Sequence, residues 1–149
     1  MMQITPLSLL NSELSSEIII DIILENDLKI ELEIDLHYDD SPDCYWITDS
    51  NNGFELSFND NRRLVTVFCY FDDSSTFAPC ALHLDNFDPK TSLSSLINQL
   101  GKPDFTSRDG NGIRYDFDTY SVHYKFDLNK VVMVTYMTKD VTPGRRTQY

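Results

Sequence analysis

The stretch "IRYDFDTYSVHYKFDLNKVVMVTYM", residues 113–137, holds three runs rich in aromatic and β-branched residues, separated only by the short turns "TY" and "LNK". Side chains on a strand alternate between two faces, and a connection of two or three residues joins only antiparallel neighbours. The stretch therefore predicts an antiparallel meander. Within it Tyr115, Phe117, Tyr120, Val122, Tyr124 and Phe126 are expected to pack across strands.

Just before it, "KTSLSSLINQLGKP" changes period. Thr91 or Ser92 offers an N-cap, and Leu93, Leu96, Ile97 and Leu100 share one face. Gly101 stands at the C′ position and Pro103 stops the chain. A helix over about 91–100 with one apolar face must pack on the sheet, which makes the class α+β.

The first half repeats this order. Ser15 or Ser16 can cap a helix over 16–25, with Glu17 at its positive end and Ile18, Ile19, Ile22 and Ile23 facing inward. In "LKIELEIDL", 28–36, Leu28, Ile30, Leu32, Ile34 and Leu36 alternate with charged residues, so they are expected on the core face of a half-buried strand. After an Asp- and Pro-rich loop come "CYWITD" and "GFELSF" around the turn "SNNG", then "LVTVFCYF", which is apolar enough to be central. "CALHL" reads as a further short strand. Residues 1–137 make one α+β domain of antiparallel meanders with an N-terminal helix and a helix at about 91–100 on the sheet. Two arrangements stay open: one sheet, or two similar helix-plus-strands lobes at about 14–84 and 88–137. Residues 138–149 lack periodicity and read as a flexible tail.

Charge is the most informative part of the composition. Residues 1–60 hold 14 acids against the single base Lys29, a charge of −13, while residues 61–149 hold 10 acids against 11 Lys and Arg, a charge of +1. A field polarised in this way attracts basic partners and repels nucleic acid and anionic membranes. Eighteen aromatic residues and an apolar share of 41% exclude a disordered polyelectrolyte. The run "IIIDIIL" is too short to span a bilayer, and no basic leader precedes it, so a cytoplasmic location without membrane association is expected. Cys44, Cys69 and Cys80 are odd in number and lack C-x-x-C spacing, which fits reduced thiols.

Motifs of catalysis are missing. There is no G-x-S-x-G elbow, and Cys80 and His83 would point to opposite faces of a strand. His37, His83 and His123 have no metal-ligand spacing, and "DGNGI" lacks the Lys of a phosphate loop. The pairs Asp39 and Asp40, Asp72 and Asp73, and Asp116 and Asp118 sit where turns and strand edges are expected, which favours solvated charge. No enzyme chemistry, cofactor or metal is expected from these residues.

A succession of short blocks carries a family resemblance. Gly53, Phe54, Glu55, Leu56 and Phe58 are followed by Leu100, Gly101 and Pro103, then by Tyr115, Asp116 and Phe117. Tyr120, Ser121, Val122 and His123 come next, and Val134, Thr135 and Met137 close the series. In this order, over about 14–137, the chain resembles small bacterial immunity proteins encoded beside polymorphic or contact-dependent toxins. It departs from them in "PCALHL", where a Leu-Pro-x-Gly-Leu turn is expected, and in lacking Leu-Gly before the first helix.

The resemblance implies a cytoplasmic antidote that binds a cognate toxin; the acidic charge suits a basic target such as a nuclease, and exposed strand edges leave open a monomer or weak homodimer. A non-catalytic secretion chaperone or assembly adaptor is the alternative. The motif residues are turn, cap and core types, so none carries over as a toxin contact. The candidate contacts come from charge instead: Glu31, Glu33, Asp35, Asp39, Asp40, Asp43 and Asp49.

Overall fold

A computed structural model describes residues 4–33, 44–72, 76–84 and 87–139. Helix α1 (Pro6–Leu9) begins at Thr5, whose side chain and that of Ser8 form a reciprocal capping box, with Pro6 in the first turn where its missing N–H is harmless. Helix α2 (Glu17–Asn26) runs where the sequence predicts it. Ile19 and Ile22 are buried, while Ile18 and Ile23 flank the core. Ser16 is its N-cap but sends its hydroxyl back to the Glu13 carbonyl instead of capping the helix. Asp27 ends the helix in the left-handed region at φ 53°.

Four strands follow: β1 (Ile30–Glu33), β2 (Cys44–Asp49), β3 (Phe54–Phe58) and β4 (Leu64–Tyr70). Helix α3 (Leu93–Leu100) is capped by the Ser92 hydroxyl, which accepts from the Ser95 N–H at 3.2 Å. Gly101 terminates it at φ 86°, and its carbonyl accepts the buried Tyr115 hydroxyl at 2.7 Å. Then come β5 (Phe105–Thr106), β6 (Gly112–Asp116), β7 (Tyr120–Asp127) and β8 (Lys130–Thr138).

All eight strands join one antiparallel sheet in the order β1-β2-β3-β4-β8-β7-β6-β5. The fold is α+β, and a single sheet is the arrangement found. Each half enters at an outer edge and zigzags to the centre, where the last strands β4 and β8 pair with Val67 opposite Tyr136. "LVTVFCYF" is central, as its apolar character predicts.

Ladder parity separates the two faces. Ile47, Leu56, Val67, Tyr136, Val122 and Tyr115 form one continuous cross-strand row, and Phe54, Cys69, Val134, Tyr124 and Ile113 form the next. These residues cluster with Leu9, Ile19, Ile22 and Leu96, so all three helices cover this face. Each fully buried aliphatic side chain here contributes about 2 kcal/mol of transfer free energy.

Several expectations need correction. Ile30 is 48% exposed on β1, which among the described residues stands at the end of the sheet order and pairs with β2 alone. Leu28 is partly buried against the core, while Ile34, Leu36 and the side chain of Leu32 lie outside the described residues. "CALHL" forms no strand; it follows the end of β4 as irregular chain, with Cys80 N–H donating to the Tyr70 carbonyl and Ala81 N–H to that of Asn52. Phe117 lies past the end of β6, exposed and stacked on Tyr120 at 4.8 Å, and Leu100 is largely at the surface of α3. Strand β8 runs one residue into the expected tail, and residues 140–149 lie outside the described residues.

Gly53 locks the β2–β3 turn to this irregular segment. Its φ is +71°, and a Cβ there would fall 2.6 Å from the Cys80 nitrogen and closer still to the Ala78 carbonyl oxygen. Positive φ alone disfavours a side chain by about 1–2 kcal/mol, and the overlap is with backbone that cannot rotate away. Gly53→Ala should lower the urea-unfolding free energy by at least about 2 kcal/mol, with the midpoint shifting at unchanged m-value.

Candidate partner-binding surface

The face of the sheet turned away from the helices is assembled from the alternate positions of the same strands. One row runs Glu31, Trp46, Ser57, Thr66, Met137, Ser121, Asp116 from β1 to β6. The next runs Thr48, Glu55, Phe68, Thr135, His123, Arg114, Phe105 from β2 to β5. Phe68 and Met137 are buried here yet belong to no part of the helix-side core. Trp46 stacks on Phe68 at 5.9 Å, so the middle of the face holds buried aromatic and thioether side chains beside small hydroxyl residues that are buried as well.

Charge divides along the strand order. On the β1–β3 side, Glu31 is exposed and Glu55 accepts hydrogen bonds from the Thr48 hydroxyl at 2.8 Å and from the Tyr70 hydroxyl. Burial first, and then that bond to a carboxylate, push Tyr70 well above the usual phenol range. On the β6–β7 side stand Arg114, His123 and Lys125. Burial tends to raise Asp116, but the Ser121 hydroxyl and the Arg114 guanidinium, 2.9 Å from its carboxylate, hold it below its ordinary value.

Three buried polar atoms on this face have no hydrogen-bond partner among the described residues: Trp46 Nε1, Thr135 Oγ1 and His123 Nδ1. Thr135 is fully buried and stands directly opposite His123 on the ladder. Such atoms carry a desolvation penalty of about 1–3 kcal/mol each until something bonds them.

The acidic candidates fare differently from one another. Glu31 is exposed on edge strand β1, and Glu33 ends the same strand two residues on, its side chain outside the described residues. Asp35, Asp39, Asp40 and Asp43 also lie outside them. Asp49 is corrected: it is 2% exposed, on the helix side opposite Phe54. Its carboxylate accepts from the Asn52 backbone N–H at 3.1 Å and from Asn52 Nδ2 at 2.8 Å, while Asn52 also reaches Asn26 at the end of α2. This Asp braces the β2–β3 turn and cannot meet a partner. The sequence marks it only through its place two residues before the Asn-Asn-Gly turn.

Among the described residues no three of His, Cys, Asp or Glu gather in a possible metal site, and no helix is long and apolar enough to cross a membrane. No family model, curated protein or solved structure matches the chain.

Two outcomes follow from this geometry. Asp49→Ala should cost about 1–3 kcal/mol in urea unfolding by removing the acceptor for both Asn52 donors. For His123, burial and then the cations Arg114 and Lys125 lower the folded pKa below the unfolded 6.5. As pH falls through 6.5 the unfolded chain gains a proton that the folded chain resists, so this residue destabilises the fold on the acid side. The stability lost by wild type between about pH 7.5 and about pH 5.5 should exceed that lost by His123→Gln, measured in parallel urea titrations.

Proposed function

We propose that the protein is a non-catalytic antidote of the immunity type that binds a basic toxin domain, such as a nuclease, and that docking begins at the outer edge of β1. Three things support this reading: the ordered motif blocks, the −13 charge of the first 60 residues, and the position of Glu31. The last carries it. Glu31 is exposed on the strand that stands at the end of the sheet order, so a partner reaching that end meets its carboxylate.

A nuclease must present Lys and Arg to hold phosphate, so its surface is attracted to such an edge. Carboxylates two residues apart on a strand repeat at about 6.6 Å, a spacing that suits a row of long basic side chains. From that edge the contact extends inward to Trp46, the ladder neighbour of Glu31. An indole in this place supplies apolar area to a partner, and Trp is enriched at the centres of interfaces. Binding of this kind steers encounter by charge and fixes the complex by the aromatic contact.

Co-expression with the neighbouring open reading frame tests the reading directly: rescue from that product's toxicity supports it, whereas export of a harmless cargo favours the chaperone alternative. With the toxin in hand, Glu31→Lys combined with Glu33→Lys should slow association roughly tenfold at low salt and flatten its salt dependence. Unchanged association kinetics would sink the assignment of β1 as the docking edge.

A further inference from the structure

Helix α2 buries Ile19 and Ile22 against the sheet and turns its opposite side to solvent. On that outer side stand Ile20, 41% exposed, and Leu24, 73% exposed. Being four residues apart, they lie one above the other and form a short apolar ridge. Each is followed by an acid, Asp21 and Glu25, and Glu17 stands one turn before them. All three acids are exposed, so the ridge has a row of carboxylates along one flank.

Neither row serves the fold. Like charges four residues apart disfavour a helix. Glu25 and Asp27 also stand at its C-terminal end, where the dipole favours cations, and no base lies in the last turn. Among the described residues these carboxylates take part in neither an ion pair nor a side-chain hydrogen bond. The helix is held from its other side, by Ile19 and Ile22 in the core and by Asn26, whose side-chain oxygen accepts from Asn52 Nδ2 at 3.1 Å. That bond sets the end of α2 beside the β2–β3 turn. Nearby in the chain Ile30, laddered to Ile47 on the helix side of β1, adds a third exposed aliphatic side chain.

We propose that the outer face of α2 is a docking surface for a basic amphipathic helix of another protein, its apolar side chains laid on Ile20 and Leu24 and its Lys or Arg side chains set against Glu17, Asp21 and Glu25. The chemistry of the face selects this occupant. Its carboxylate row repels nucleic acid and anionic lipid. A second copy of the chain offers no match, because none of α1, α2 and α3 contains a Lys or Arg. A cationic helix meets both rows at once: its own side chains repeat at the same four-residue spacing, and ridges of that spacing pack into the grooves of a facing helix. Its charges also relieve the repulsion along α2 and at its C-terminal end. The inference stands apart from the antidote reading, since it defines the partner by a helix and uses α2 in place of β1.

The probe is a synthetic helix-forming peptide of about five turns, with Leu along one side and Lys along the other, labelled with a fluorophore and titrated with the full-length protein by anisotropy at low salt. A peptide of the same composition with its period scrambled is the control. Wild type should bind the amphipathic peptide at least about tenfold more tightly than the scrambled one. Leu24→Ser and Asp21→Lys should each weaken that binding about tenfold. Asp118→Lys, the same change of charge at the exposed β6–β7 turn, should leave it unchanged. Both altered α2 side chains are exposed, so urea unfolding should show the fold retained in each variant. Equal affinity for the two peptides, or an equal loss from Asp118→Lys, assigns the binding to diffuse charge and overturns the proposal. So does a dimer of the free protein that Leu24→Ser dissolves, because the face then belongs to a second copy. None of these outcomes bears on docking at β1, which the Glu31→Lys and Glu33→Lys pair tests separately.

Discussion

The pairing of β4 with β8 is the constraint on which the rest of the structure depends. It joins residues about as far apart in sequence as Phe68 and Thr135, and it is what turns two four-stranded meanders into a single sheet. Both strands are buried on both faces over most of their length: Val67, Phe68 and Cys69 on one, Val134, Thr135 and Tyr136 on the other. Closing so long a loop is entropically unfavourable, and contacts of this kind form late unless burial is dense. Placing the two most apolar strands together meets that requirement. It also leaves the two-residue β5 at the end of the sheet order.

Much of this was legible in the residues. The 113–137 run, the Leu93 to Leu100 face and the "SNNG" turn each settle a local structure because their periods and caps agree with one another. What stayed hidden was of two kinds. Helix α1 is a single turn, below the length at which apolar periodicity speaks, and only the Thr-Pro pair at its start announces it. The other kind depends on register. Alternation says that Ile30 and Glu31 face opposite ways, but not that β1 is an edge where both are wetted. Nor does it say that Asp49 falls on the covered side, where its turn-bracing bonds take precedence over its charge.

Register also explains why the candidate surface was only half visible. Trp46, Glu55, Phe68, Thr135 and His123 come from five strands and have no spacing in common along the chain. Their alignment exists only because β4 meets β8 in the observed register; a slip of one residue there would send Thr135 to the core and Tyr136 to the open face. Several of the turn and cap residues singled out in the sequence are structural parts of the sheet and its turns. Gly53 seats the turn against segment 76–84, Gly101 ends α3 and receives Tyr115, and Ser121 binds Asp116 across the β6–β7 ladder.

The charge distribution then has a thermodynamic consequence. Fourteen acids in 60 residues repel one another; Glu13 is offset by Arg63 at 3.1 Å, while Asp49 is held by the Asn52 donors. That repulsion opposes the compact state and is relieved most by a cationic surface set against the β1 side. A partner of this kind gains from attraction and also from the strain it lifts, so binding and folding stability are coupled through the same carboxylates. The coupling is strongest where acids are exposed, as Glu31 is, and weaker where a buried carboxylate already has its donors, as Asp49 has. The distinction between them is set by which end of a ladder each occupies, and no count of acidic residues contains it.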